Sequence, residues 1–198
     1  MNPAWLTTAV TAALSAVLSS GVTAAYLRAG EPDVLAVDPP RAVTPEQQSL
    51  AALLVAPAAP YRPVNAGAPV DAKELGADGL ESLGFRRGWS RTWRTADKDR
   101  VDSFVLEFEA ESGARSYAQG IGRVARLLAE PEPFTVTGVP GSSGLADTVK
   151  DRDGNYAQVV VMHSGARAVL LVFANDSARP GSDVLTLAQR QWAALSAT

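Results

Sequence analysis

The chain has 198 residues, with 18 basic and 21 acidic side chains, a net charge of −3 and no cysteine. A mildly acidic chain is poorly suited to general nucleic-acid binding, which rests on many Lys and Arg contacts to phosphate. Without cysteine there are no disulfides, thiolate metal sites, cysteine nucleophile or lipid-attachment cysteine, so a folded domain must be held by its core alone.

No side chain from Met1 to Leu27 is charged. A membrane-spanning helix needs about 20 apolar residues at roughly 1.5 Å each. Trp5–Leu27 is long enough, although Thr7, Thr8, Thr11, Ser15, Ser19, Ser20, Gly21 and Thr23 dilute its Leu and Val positions. A soluble helix would carry a charged stripe, and none is present. The segment therefore reads as a membrane anchor or a signal peptide. Met1–Leu6 lacks the basic region that opens a signal peptide, which favours a retained anchor. The small residues of Val22–Ala25 keep cleavage and secretion as the alternative. Arg28 alone flanks the segment closely and by itself argues for a cytoplasmic domain. The long Pro-rich stretch that follows is typical of a domain held off a cell surface. An extracytoplasmic domain is the expectation taken.

Residues 1–28 thus form the anchor or signal, 29–69 a Pro/Ala-rich spacer and 70–198 a globular domain. The spacer holds eight of the 13 prolines and is expected to be extended and semi-rigid. One short helix interrupts it. Thr44 as N-cap, Pro45 at the first helical position and Gln47 three residues after the cap form a capping-box signature. Leu50, Leu53 and Leu54 give that helix an apolar side that should dock on the domain, and Pro57 ends it.

In the domain, a short helix around Leu80 and Leu83 ends at Gly84, the position of a helix C′ residue. Phe85–Thr95 and Val101–Ala110 read as two strands joined by a turn at residues 96–100. Phe104, Leu106 and Phe108 alternate with Glu107 and Glu109, as in a half-buried strand. Ser112 is placed as the cap of the next helix. Its apolar stripe is Tyr117, Ile121, Val124 and Leu128, and Pro131 ends it. Phe134–Thr137 and Leu145–Lys150 are short strands around a Gly138–Gly144 loop. Tyr156–Met162 and Ala168–Ala174 form a hairpin apolar on both faces, which belongs mid-sheet. Ser182 is placed as the cap of a C-terminal helix. The predicted class is α+β, a mainly antiparallel sheet with helices packed on it.

Chemistry is sparse. His163 is the only histidine, beside Ser164-Gly165, and reads as a turn residue; no G-x-S-x-G elbow accompanies it. Asp151, Asp153 and Asn155 alternate as calcium ligands do, but Gly154 and Met162 fall where an EF-hand loop needs other residues, and a hairpin turn is the simpler reading. The Gly138–Gly144 loop lacks the following helix and the Lys of a phosphate cradle. No cofactor and no metal is expected. The one suggestive surface is Arg87, Trp89, Arg91 and Trp93, where a guanidinium between two indoles is suited to stacking on a ligand. Pairing of the arginines with Glu107 and Glu109 on the adjacent strand is the structural alternative.

Leu83-Gly84-Phe85, Arg91-Thr92-Trp93, Phe108 with Gly113-Ala114-Arg115, Val139-Pro140-Gly141 and Ala188–Trp192 resemble a set of uncharacterised actinobacterial exported or membrane-anchored proteins. That likeness spans Leu80–Leu195, and the element order also resembles the PsbP-like α/β sandwich of LpqN-type lipoproteins. The resemblance implies a non-enzymatic scaffold at the cell envelope and carries no catalytic residue. The function expected is a membrane-anchored, extracytoplasmic binding or interaction module, with an envelope protein or glycan as partner and no nucleic acid. The alternative is an envelope hydrolase using Glu107 or Asp151, which would need a pocketed carboxylate of raised pKa.

Overall fold

The structure, a computed structural model, describes residues 44–70, 77–128, 132–150 and 154–197. The anchor segment Trp5–Leu27 lies outside them, as do Asp151 and Asp153. Among the described residues no helix is long and apolar enough to cross a membrane.

The chain builds an α+β fold in the order α1 (Pro45–Ala51), β1 (Arg62–Pro63), β2 (Ala68–Val70), α2 (Ala77–Ser82), β3 (Phe85–Arg94), β4 (Arg100–Phe108), α3 (Glu111–Leu128), β5 (Glu132–Phe134), β6 (Ser143–Ala146), β7 (Tyr156–Ser164), β8 (Arg167–Asn175) and α4 (Ser182–Ser196). One eight-stranded sheet runs β1-β3-β4-β8-β7-β6-β5, with β2 also on β3. Every ladder is antiparallel. The β7–β8 hairpin sits inside the sheet, and its unbroken apolar runs follow from burial on both sides: Val160 packs in one core and its neighbour Val161 in the other.

Each face of the sheet has its own core. On the first, Trp89, Trp93, Val101, Val105, Val160, Leu171 and Phe173 lie under Leu50 and Leu54 of the N-terminal segment and Val184, Leu187 and Leu195 of α4. On the second, Leu106, Phe108, Val161 and Ala168 meet Leu80 of α2 and Ala114, Tyr117 and Ala118 of α3. Gly113 permits that approach, since a Cβ there would lie 2.1 Å from the Leu83 carbonyl oxygen.

The segment read as a spacer is part of this architecture from Thr44 onward. Thr44 Oγ1 accepts from the Gln47 amide at 3.2 Å and Gln47 Oε1 accepts from the Thr44 amide at 3.0 Å, closing the capping box. Downstream, buried Gln191 of α4 accepts from the Val55 amide at 2.9 Å and donates to the Leu53 carbonyl at 2.7 Å. Residues 44–61 form a strap across the first face, pinned to α4, and Arg62–Val70 then adds two short strands to the β3 edge.

Several boundaries differ from expectation. The strand expected at Phe134–Thr137 is Glu132–Phe134, and Val136 drops into the first core from a loop. The strand expected at Leu145–Lys150 starts earlier, at Ser143, because the Phe134 ring lies over Gly144, where a Cβ would meet it at 2.6 Å. Ser112 is inside α3, which begins at Glu111. Ser182 is the first residue of α4, and its N-cap Gly181 makes no side-chain cap.

Candidate functional site

The Arg/Trp ladder is structural on its apolar side. Trp89 and Trp93 are only 5% and 2% exposed and belong to the core beneath the strap. The alternation that puts both indoles on one face puts them on the inward face, so neither presents a ring to a ligand. Gly67, at a φ of +94°, closes over Trp89: a Cβ there would come within 2.4 Å of the indole nitrogen. Arg91, half-buried in the same row, donates to the Ala66 carbonyl at 2.8 Å and has its guanidinium carbon 6.0 Å from the Trp93 ring centroid, while its Nε is buried without a partner.

Arg87 is engaged by carboxylates. It pairs with Glu107 at 2.5 Å and with Glu46 of α1 at 2.8 Å, while Glu107 also accepts from Arg167 at 3.3 Å. Strand register produces this row, because Arg87, Glu107 and Arg167 face one another across β3, β4 and β8. Burial alone would raise the Glu107 carboxyl, but hydrogen bonds and charge from Arg87 and Arg167 overcome it and hold the group below its ordinary range. A carboxylate held ionised by two guanidinium groups is a poor general acid. Glu109 lies beyond the end of β4 and is exposed, so the two glutamates form no facing pair.

His163 is not in the turn. It is the penultimate residue of β7, and the turn is made by Gly165 at φ +53°. Its Nδ1 is buried without a partner, and burial, then Arg115, depress its pKa against an opposing pull from Glu111. Gly141 backs onto this ring. The loop containing Gly141 is tied down at both ends of residues 137–142, by Gln189 donating to the Thr137 carbonyl at 2.8 Å and Ser142 to the Val139 carbonyl at 2.8 Å. It leads into β6, not into a helix. Among the described residues no three His, Cys, Asp or Glu side chains are grouped to hold a metal ion.

Among the described residues, a site with room for a ligand lies elsewhere. A cavity of about 390 Å³ opens where the strap crosses the β3–β4 turn and the start of α4. Pro57–Tyr61, the buried Phe173 and Leu187, half-buried Asp99 and the exposed Asp97 and Asp183 line it. Arg190 also lines it, two helical turns along α4 from Asp183. Among the described residues none of the three carboxylates forms an ion pair. Burial raises the Asp99 carboxyl, helped by Asp176, Asp183 and Asp97. Burial, then Asp183 and Asp99, push the Tyr61 phenol up to about 12. This is a partly open concavity with buried apolar side chains and several carboxylates in its lining, a combination found in small-molecule sites.

No sequence signal pointed to this cavity. Its walls come from four elements, the strap, the β3–β4 turn, β8 and α4, and each aspartate has a local reason to be where it is: Asp97 and Asp99 in a turn, Asp183 in the first turn of a helix.

No protein-family model matches the sequence, and no curated protein matches it. Among solved structures, the chain is similar to the extracellular domain of PknH from Mycobacterium tuberculosis, with a TM-score of 0.59 and 12% identity over 77% of this chain and 97% of that one. At that identity the likeness is one of fold: a mainly antiparallel sheet with flanking helices.

Proposed function

We propose that the protein is an extracytoplasmic, non-enzymatic binding module of the cell envelope, held at the membrane by Trp5–Leu27, and that its ligand site is the cavity between the strap and α4. The observation that carries this reading is the cavity itself, about 390 Å³ and lined by both apolar and carboxylate side chains, within the range of small-molecule sites. The fold shared with an extracellular domain supports the placement outside the membrane. So does the resemblance of Leu80–Leu195 to actinobacterial exported proteins with a PsbP-like sandwich. An envelope protein or glycan that presents a compact group to the cavity is the partner class this module would serve. A hydrolase built on Glu107 is disfavoured by the two guanidinium groups on that carboxylate.

Two measurements test the reading. Protease applied to intact cells expressing the full chain should cleave the domain; protection would overturn the outside placement. Retention of the full-length protein on isolated envelope should fall when Thr186→Trp fills the cavity. Unchanged retention by a variant with wild-type unfolding behaviour would overturn the site.

A further inference from the structure

We propose that the Arg91 guanidinium is the receptor for a small organic carboxylate, with the Trp89 indole N–H and the Ser103 hydroxyl as further donors and the bend at residues 65–67 as its cover. None of these residues lines the cavity between the strap and α4, so the two sites stand or fall separately.

Three polar atoms on neighbouring positions of the first sheet face are buried without a hydrogen-bond partner in the protein: Trp89 Nε1, Arg91 Nε and Ser103 Oγ. Trp89 and Arg91 share a face of β3, and Ser103 is the cross-strand partner of Arg91 on β4. A buried donor left unpaired costs its full desolvation, so such atoms are few in a folded chain. Here three of them adjoin. Ser103 is fully buried and Trp89 only 5% exposed. The two N–H groups can only donate, and the hydroxyl can donate as well. What this group of atoms lacks is an acceptor.

Its charge is unanswered too. Arg91 makes no ion pair among the described residues. The carboxylates nearest in register are already engaged: Glu107 by Arg87 and Arg167, and Asp102 by Thr92 and Arg100. One guanidinium with neutral donors beside it matches a monoanion better than a phosphate dianion.

The Nε–H and Nη2–H groups leave a guanidinium along one edge, the fork that a carboxylate fills with its two oxygens. In Arg91 one prong is bonded, Nη2 to the Ala66 carbonyl at 2.8 Å, and the other is unpaired. A single carbonyl therefore occupies an edge suited to two oxygens. That carbonyl belongs to the bend whose Gly67 closes over the Trp89 indole nitrogen. The bend is held locally, by the Gly67 amide donating to Asn65 Oδ1 at 3.1 Å, and Asn65 and Ala66 are exposed. Lifting it passes the Ala66 carbonyl to water, frees Nη2 and uncovers Trp89 Nε1. An incoming carboxylate takes both prongs of Arg91. Val64, 52% exposed on the same stretch, offers an apolar lip to the rest of the ligand.

The test uses the full-length protein in an uncharged maltoside detergent. It is titrated with benzoate and butyrate, with their neutral isosteres benzamide and butyramide, and with inorganic phosphate. Calorimetry should show at least one carboxylate binding about tenfold more tightly than its amide and than phosphate. That carboxylate should shift the Trp89 indole N–H resonance, identified by its absence from Trp89→Phe. Arg91→Lys keeps the charge and loses the fork, and should weaken binding about tenfold with cooperative unfolding preserved. Thr186→Trp, in the cavity, should leave binding unchanged. If the carboxylates bind no better than the amides, or Arg91→Lys binds them as the wild type does, the three donors are met by water and the proposal falls. If phosphate binds more tightly than both carboxylates, the ligand class is wrong. Loss of binding in a folded Thr186→Trp would place the carboxylate in the cavity and away from Arg91. If Trp89→Phe does not fold, Arg91→Lys decides alone.

Discussion

Glu107 and Asp99 stand at opposite ends of one strand. Glu107 is near the last residue of β4 and Asp99 immediately precedes its first, so about 27 Å of extended chain separates them. Both carboxyls are partly withdrawn from water, and desolvation pushes both upward. Their surroundings send them in opposite directions. Glu107 faces Arg87 on one side and Arg167 on the other, and its pKa falls. Asp99 has Asp97, Asp176 and Asp183 as its charged neighbours, and its pKa rises. A fold stabilised by its ion pairs would be expected to treat its own carboxylates as it treats Glu107. The Asp99 end instead retains an uncompensated charge beside a cavity, and that difference separates a structural network from a place suited to receive something.

The comparison is broken most severely by a carboxylate with no compensation at all. Leu171 is fully buried on β8, in the first core. Leu171→Asp should remove about 4 kcal/mol or more, enough to unfold the domain, and circular dichroism of the purified protein reads that directly. Glu107→Gln is the next largest. It leaves Arg87 and Arg167 facing each other across a neutral amide, and should lower stability by about 2 kcal/mol. Urea denaturation should show a lower midpoint at unchanged slope. A loss below about 0.5 kcal/mol would mean that the row is no more than a solvated surface pair.

The strap offers a related test at smaller scale. Gln191 is fully buried and satisfies one amide and one carbonyl of the strap. Gln191→Leu keeps the volume and orphans both groups, with an expected loss of about 1.5 kcal/mol. Amide hydrogen exchange of residues 50–58 should accelerate more than that of β7 and β8. Uniform acceleration would show that the strap and the sheet open as one unit.

How far the sequence was legible follows the range of the interactions involved. The capping box of α1, the turn at Gly84 and the two-faced β7–β8 hairpin all arise from residues within a few positions of one another, and they are present as read. The half-buried reading of β4 is not: Val101 and Val105 pack in the first core, Leu106 and Phe108 in the second, and Glu107 is itself buried. The Arg87–Glu107 pairing was accessible too, because adjacent strands with a short turn have a register that can be counted. The burial of Trp89 and Trp93 was not. Alternation identifies a face but not what covers it, and here the cover is a strap from a segment whose prolines suggested an extended spacer. The early start of β6 depended on Phe134 reaching across to Gly144. The cavity depended on the strap, the β3–β4 turn and α4 meeting, which periodicity within any one of them does not encode.

A single titration sets the two carboxylates against each other. Glu107 has its folded pKa below the ordinary 4.5, so the unfolded state binds its proton more readily. The stability it contributes is present above 4.5 and is lost as pH falls through the depressed folded value. Asp99 has its folded pKa above the ordinary 3.8, so the folded state holds that proton more tightly. Its charge opposes folding at neutral pH, and acidification through the raised value relieves the opposition. Asp99→Asn should therefore be neutral or stabilising at pH 7, by up to about 0.5 kcal/mol, and should remove the part of the stability profile that rises on mild acidification. Glu107→Gln should remove the steeper loss at lower pH and leave the mild-acid rise in place. Midpoints in urea measured from pH 7 to pH 3 separate the two. If Asp99→Asn instead destabilises the protein at pH 7, the carboxylate at the cavity is satisfied by the fold itself, and the distinction between the two ends of β4 disappears.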